Sequence, residues 1–158
     1  MAGGTGLIPF SGTVWRMVFA GQDARAPVRS PEGRFHHSGQ RAIYTSLTPE
    51  GTAVAIRRYV RPDDPPRKLV PLTLAALSVA DHRGNPDLSV IWQDIRATGA
   101  SAPTWAWSDA AREAGAEGLL YASRSRPDLT HLVLFADPLR IVTDLGPAED
   151  AACWLDPT

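Results

Sequence analysis

Gly118-Leu119-Leu120-Tyr121-Ala122, a polar stretch over 123–129, and His131-Leu132-Val133-Leu134-Phe135 are the part of this chain that decides its fold. Two short apolar runs joined by a loop rich in Ser, Arg, Pro and Asp read as two strands of a sheet. Upstream, Trp105, Ala106, Ala110 and Ala114 recur at helical spacing, and Gly115 closes that helix. Residues 86–101 read as irregular or weakly helical. Further upstream, 68–80 is a long apolar strand region whose Pro71 predicts an edge or a bulge. Residues 13–19 and 42–46 are strands by their β-branched and aromatic content. Between them lies a long loop, 20–41, holding Gly21, Pro27, Pro31, Gly33, Gly39 and four arginines. A loop of that length inside a compact domain is usually functional or mobile. Thr48-Pro49-Glu50 opens a helix with an N-cap, a proline at the first position and an acid at the positive end. Ala53, Ile56 and Val60 form its buried stripe, and Asp63-Asp64-Pro65-Pro66 stops it. Residues 139–142 add a last strand. Strands outnumber helices without regular βαβ alternation, which predicts an α+β fold: a single compact domain with a mixed or antiparallel sheet and a few helices. The expected layout is a flexible arm over 1–12, a domain over 13–145 and a tail over 146–158.

Composition narrows the function. The chain has 158 residues, 44% apolar and 21% charged, which suits one domain with a real core and excludes wholesale disorder. No apolar run approaches the roughly 18 residues of a spanning helix. The N-terminus shows neither a basic region nor a long apolar one, so no secretory signal is expected. A lone Cys153 excludes an internal disulfide framework and fits a reducing, cytoplasmic setting. The net charge of −1 conceals an asymmetry: residues 1–68 carry 10 basic and 5 acidic side chains, residues 69–158 carry 6 and 12. All the basic residues but Lys68 are arginine. Guanidinium groups bind phosphate bidentately, so the first half is a candidate anion-binding face; codon bias and ordinary surface charge are the plainer account.

Generic catalytic signatures are missing. There is no GxSxG, P-loop or GxGxxG, which leaves nucleophile-elbow hydrolase, Walker NTPase and Rossmann readings without support. Gly3-Gly4-Thr5-Gly6 follows no strand. His36-His37 has no CxxC or HExxH beside it, so no metal is expected. Cys153 sits in an acidic segment with no cation to activate it. Arginines in a loop without base-stacking aromatics argue against nucleic acid.

Three ordered stretches carry more. They are Val14-Trp15-Arg16; Gly33-Arg34-Phe35-His36-His37-Ser38-Gly39 followed by Ala42-Ile43-Tyr44-Thr45-Ser46-Leu47; and Gly118 to Arg126 followed by Thr130 to Phe135. Their order and spacing resemble the RES-domain family, the toxin half of RES–Xre toxin–antitoxin pairs, over roughly residues 13–137. The resemblance implies a fold related to the ADP-ribosyltransferase toxins and NAD as substrate, either degraded or used to ADP-ribosylate a protein. It also implies an Xre-like helix-turn-helix antitoxin partner covering the pocket. The arginine and serine of the family name fall on Arg34 and Ser123, a family tyrosine on Tyr44 and an early arginine on Arg16. The glutamate has no counterpart. The helix that should bear it reads Gly51-Thr52-Ala53-Val54-Ala55-Ile56-Arg57-Arg58, and Glu50 stands about a turn and a half too early.

On this resemblance the roles are chemical expectations. Arg34, and with it Arg16, holds phosphate or ribose oxygens. Tyr44 stacks on the cationic nicotinamide. Ser123 bonds the ribose or carboxamide. Glycosidic cleavage passes through an oxocarbenium-like state that a carboxylate stabilises, and that carboxylate is the missing piece. Its loss favours transfer to a positioned acceptor over simple hydrolysis, or a catalytically weak module that acts through its antitoxin. The plainer alternatives are an Arg34 paired with a local acid, a core Tyr44 and a turn-capping Ser123.

Overall fold

The computed structural model describes residues 6–155. In chain order these residues form β1 (Leu7–Phe19), β2 (Ile43–Ser46), α1 (Pro49–Ile56), β3 (Arg67–His82), α2 (Trp92–Ala97), α3 (Thr104–Glu113), β4 (Gly118–Ala122), β5 (Thr130–Leu134), α4 (Pro138–Ile141), β6 (Val142–Leu145), β7 (Glu149–Asp150) and α5 (Ala152–Leu155). The strands make one sheet whose pairing returns on itself: β1 beside β2, then β5, β4 and β3, with β3 again beside β1. Only the β3–β4 pair is parallel. The chain is a single α+β domain with a mixed sheet and a few helices.

Strand alternation explains the continuous apolar run with which β4 begins. Successive side chains point to opposite faces. Ile43, Leu120, Leu132 and Leu134 join Val14, Leu72, Leu77 and Val79 in one core. Leu119, Tyr121 and Val133 join Phe35, Ala80, Ala111 and Phe135 in a second core on the other face. A strand buried on both sides has no polar face to show, and each fully buried leucine contributes about 1.5–3 kcal/mol. Gly118 starts β4 because a Cβ there would lie 2.8 Å from the Val133 carbonyl oxygen across the ladder.

Several elements depart from the sequence expectation. The arm expected over 1–12 is sheet from Leu7 onward: Leu7 to Phe10 register against Ala80 to Leu77 of β3, and Gly12, at φ 121°, marks the bulge that follows. Residues 1–5 lie outside the described residues. The segment from 146 onward docks rather than trails. Lys68 pairs with Asp150, the Ala151 amide donates to the Arg67 carbonyl at 3.1 Å, and Trp154 and Leu155 pack with Met17, Ala53 and Leu69. The strand expected over 139–142 begins only at Val142, as β6, because Asp137 caps the short helix α4 ahead of it by accepting from the Leu139 amide, and β7 follows it.

Pro71 lies inside β3 with β1 along one side, not on a free edge. Its carbonyl accepts from the Gly146 amide at 2.9 Å, so its missing N–H faces the gap between β6 and β7, where no ladder bond is lost. Gly146 permits that approach: a Cβ there would meet the proline ring at 2.6 Å.

Helix α1 is capped by Thr48, which accepts from the Gly51 amide at 3.0 Å. It tightens into a 3-10 turn over Arg57–Tyr59, which turns Val60 out of the expected stripe and leaves it exposed. In α3 the buried face is Thr104, Ser108 and Ala111, not the expected alanines. The small polar residues are buried with their hydroxyls partnered: Ser108 lies within reach of the Thr104 and Trp105 carbonyls at 3.4 and 3.2 Å, and Thr104 donates to the distant Arg34 carbonyl.

Candidate active site

One face of the sheet forms the floor of a cavity of about 660 Å³. The strand register sets that floor. Tyr121 pairs with His131 and His131 with Ser46, so one row runs across β4, β5 and β2. Tyr44 lies two residues before Ser46 and shares its face. The walls are the turn containing Gly33 and Arg34, the apolar side chains Val54, Ala55 and Ile56 of α1, Arg58 and Tyr59 of the 3-10 turn, and Trp92 and Gln93 of α2. Ser123 and Arg124, just beyond the end of β4, complete the lining. Arg16, Arg34, Tyr44 and Ser123 therefore line one cavity, although they come from four separate parts of the chain.

The Arg34 turn is held from behind by α3. Trp105 Nε1 donates to the Gly33 carbonyl at 2.8 Å, the Thr104 hydroxyl to the Arg34 carbonyl, and Arg112 Nη1 to the Phe35 carbonyl at 2.9 Å. The fourth carbonyl, that of His36, accepts from the Gly33 amide at 2.8 Å. Every acceptor of the turn is thus fixed, which aims the Arg34 side chain. Arg34 Nη1 donates to the Leu88 and Val90 carbonyls at 3.1 and 2.8 Å. Arg34 Nε and Nη2 make no hydrogen bond among the described residues, so two donor nitrogens of the fork remain for a ligand. Burial lowers the guanidinium pKa, opposed by the nearby Tyr121, Tyr59 and Tyr44.

Tyr44 is saturated at its hydroxyl. It accepts from the Phe35 amide at 2.9 Å and lies 2.8 Å from His36 Nδ1. His36 Nε2 lies 3.0 Å from the Ser30 carbonyl, which can only accept, so Nε2 carries the proton. Burial also lowers the His36 pKa, which keeps the ring neutral and makes Nδ1 an acceptor for the tyrosine O–H. Desolvation raises the Tyr44 pKa strongly, so the phenol stays protonated. Only its ring face is left to the cavity. Gly33 makes this possible: a Cβ there would stand 2.4 Å from His36 Cε1 and 3.1 Å from the Tyr44 oxygen.

Ser123 is buried, and its oxygen accepts from the Arg126 amide at 3.3 Å, capping the 123–126 turn. Its O–H remains free to donate. Arg16 is engaged differently from the expectation: its Nη1 donates to the Ala24 and Ala26 carbonyls, both at 2.6 Å, and burial lowers its pKa to about 10. It ties the 20–28 loop to β1 while lining the cavity. Its binding of ligand oxygens rests on whatever donors that tie leaves over.

Several lining residues were not singled out from sequence. Ser46 and His131 are both buried, with Ser46 Oγ 2.6 Å from His131 Nδ1, and burial pushes His131 down to about 4. Strand parity with Tyr44 is the signal that places both on the cavity floor. Arg58 and Arg124 line the cavity and make no hydrogen bond or ion pair among the described residues. Of the candidates set aside, Glu50 pairs with Arg126 at 3.1 Å and does not line the cavity. His36 and His37 serve separate partners, His37 Nε2 lying 2.8 Å from Asp109. The described residues contain no helix long and apolar enough to cross a membrane.

The family model for the RES domain matches residues 13–156. The chain belongs to the RES-domain family. No curated protein matches this sequence. Six chains of solved structures do, among them a chain of the M. tuberculosis MbcT–MbcA toxin–antitoxin complex. It aligns at a TM-score of 0.63 and 19% identity, covering 95% of this chain and 90% of that one. That likeness is one of fold. The family match reaches residue 156, so the docked segment after 145 falls within the RES region.

Proposed function

We propose that this RES-domain protein is a toxin enzyme that cleaves NAD at the bond between nicotinamide and ribose, in the manner of the ADP-ribosyltransferase toxins. The observation that carries the reading is the convergence of Arg34, Tyr44 and Ser123 on one cavity within a RES fold. The cavity lies within the roughly 300–1,000 Å³ of small-molecule sites. Arg34 offers Nε and Nη2 to the pyrophosphate or ribose oxygens, with Arg58 and Arg124 adding unpaired positive charge. Arg16 contributes charge and holds the adjoining loop. The Tyr44 ring receives the cationic nicotinamide, which leaves neutral once the bond breaks. The Ser123 hydroxyl donates to the ribose or carboxamide. The ADP-ribosyl group then passes to water or to a protein acceptor.

An Xre-like helix-turn-helix antitoxin is the partner in this reading. The fold neighbour comes from a toxin–antitoxin complex, and Tyr59, half exposed at the cavity, offers an apolar contact there. A second reading, a catalytically weak module acting through that partner, draws on α1: it presents Thr52, Val54, Ala55 and Ile56 to the cavity and no carboxylate. Incubating purified protein with NAD labelled in its adenylate half, with and without cell lysate, separates the two. The enzyme reading expects loss of NAD or labelled protein, abolished in Arg34→Ala. Binding without turnover by calorimetry supports the second reading, and an active Arg34→Ala overturns the anchor.

A further inference from the structure

The cavity lacks the helical glutamate of its family, yet it is not without a carboxylate. Among the described residues, Glu32 is the only acidic side chain that lines it. Glu32 sits immediately before Gly33, on the same fixed turn that aims Arg34, and its charge is felt at His36, the hydrogen-bond partner of Tyr44. It is held in place. Arg96 Nε lies 3.2 Å from each of its two oxygens, and the Arg96 guanidinium in turn rests 5.1 Å from the centre of the Trp105 ring. Trp105 anchors Gly33 through its indole nitrogen, so carboxylate, arginine and turn form one rigid assembly. The Arg96 contact occupies part of the carboxylate, whose two oxygens offer about four acceptor positions. The Glu32 side chain remains 36% exposed, open to a ligand in the cavity.

We infer that Glu32 is the catalytic carboxylate of this protein, supplying from the Gly33–Arg34 turn the negative charge that other RES domains supply from the helix after the tyrosine. The inference rests on the NAD-cleaving reading and deepens it. The C1′–N bond breaks with its electron pair leaving on nicotinamide, and positive charge develops on the ribose. Glu32 lies against that charge and accepts a ribose hydroxyl hydrogen. The acceptor oxygen, of water or a protein, then bonds C1′ and loses its proton to solvent. Glu32 forms no covalent bond and ends as it began.

The test follows nicotinamide release from NAD, with lysate present so that transfer and hydrolysis both count, for wild type, Glu32→Gln, Glu32→Asp and Arg96→Gln. The isosteric Gln keeps the shape and removes the charge. It is expected to lower kcat by about a hundredfold or more while KM stays within about threefold. Asp restores part of the rate. Arg96→Gln, which loosens the carboxylate without removing it, costs no more than about tenfold. A Glu32→Gln enzyme as fast as wild type overturns the assignment. So does an Arg96→Gln loss equal to that of Glu32→Gln, which would make the pair structural. A wild type that releases no nicotinamide refutes the NAD reading itself and takes the assignment with it.

Discussion

Single residues in this site are legible in sequence as types and opaque in their commitments. Arg34 and Arg16 are both arginines beside glycine-rich or strand segments, but one leaves two donor nitrogens open and the other spends its Nη1 on two carbonyls. Tyr44 combines two readings. Its hydroxyl is a buried structural group and its ring is a cavity surface, so one residue serves both the core and the cavity lining. Ser123 likewise caps a turn and lines the site. His131 shows the reverse: a histidine in a strand pattern gives no hint of its burial, which depends on what β4 and β2 lay against it. That burial has a measurable consequence. With a folded-state pKa of about 4 against an ordinary 6.5, His131 binds its proton far less readily folded than unfolded. Stability is therefore fully present above about pH 6.5 and is lost as pH falls toward 4, with His36 and His82 shifted in the same direction. In urea unfolding, wild type is expected to lose about 2 kcal/mol more than His131→Asn between pH 7 and pH 5. Equal losses would show that His131 does not carry the effect.

At the level of elements, helix α3 does what no local pattern announces. Its spacing identifies a helix, and its alanines suggest the wrong buried face. Buried Thr104 and half-buried Trp105 and Arg112 donate hydrogen bonds to the Gly33–Phe35 carbonyls, which are unlike any apolar surface and are invisible to periodicity. A helix thereby substitutes for the sheet pairing that the long 20–41 loop lacks. Arg112 adds a second tie, from Nη2 to the Arg41 carbonyl at 2.9 Å, and its guanidinium lies 3.9 Å over the Phe135 ring. Arg112→Met keeps much of the aliphatic bulk and removes both bonds. It is expected to cost about 1–3 kcal/mol in urea unfolding and to slow NAD turnover as the Arg34 turn loses its support. Unchanged stability and rate would make the helix a bystander. Helix α1, by contrast, was readable at its start, because Thr48, Pro49 and Glu50 act on the backbone within three residues. Its end was not, since the 3-10 tightening that exposes Val60 depends on what the chain packs against next.

For the whole molecule, the closed pairing circuit explains why residues more than a hundred positions apart meet. The contact of β1 with β2 comes through Trp15 and Ser46, while β1 runs along nearly all of β3, so the pairing circuit closes and Arg16 of β1 lines the same cavity as Ser46, His131 and Tyr121. The C-terminal segment closes the other end, where Trp154, Leu155 and Ala151 cover Met17, Ala53 and Leu69, and Arg57 Nη2 donates to the Trp154 carbonyl at 3.1 Å. A chain ending after Leu145 is expected to melt at least about 5 °C lower, because that apolar surface returns to water. Thermal circular dichroism checks it, and an unchanged midpoint would show that the docked segment adds nothing to stability.

Sequence by itself determined the class of fold, most strands, the start of α1 and the family, because alternation, capping and ordered motifs act over a few residues and survive without knowledge of neighbours. It also determined that the helix after Tyr44 carries no carboxylate over 51–58, where the family places its glutamate. Only the tertiary structure decided which arginine is free, which face of α3 is buried, that Ser46 and His131 meet, and that Glu32 is the acid at the cavity. Those outcomes depend on which carbonyls, rings and strands arrive from distant parts of the chain, and a hydrogen bond is committed only when its partner is in place.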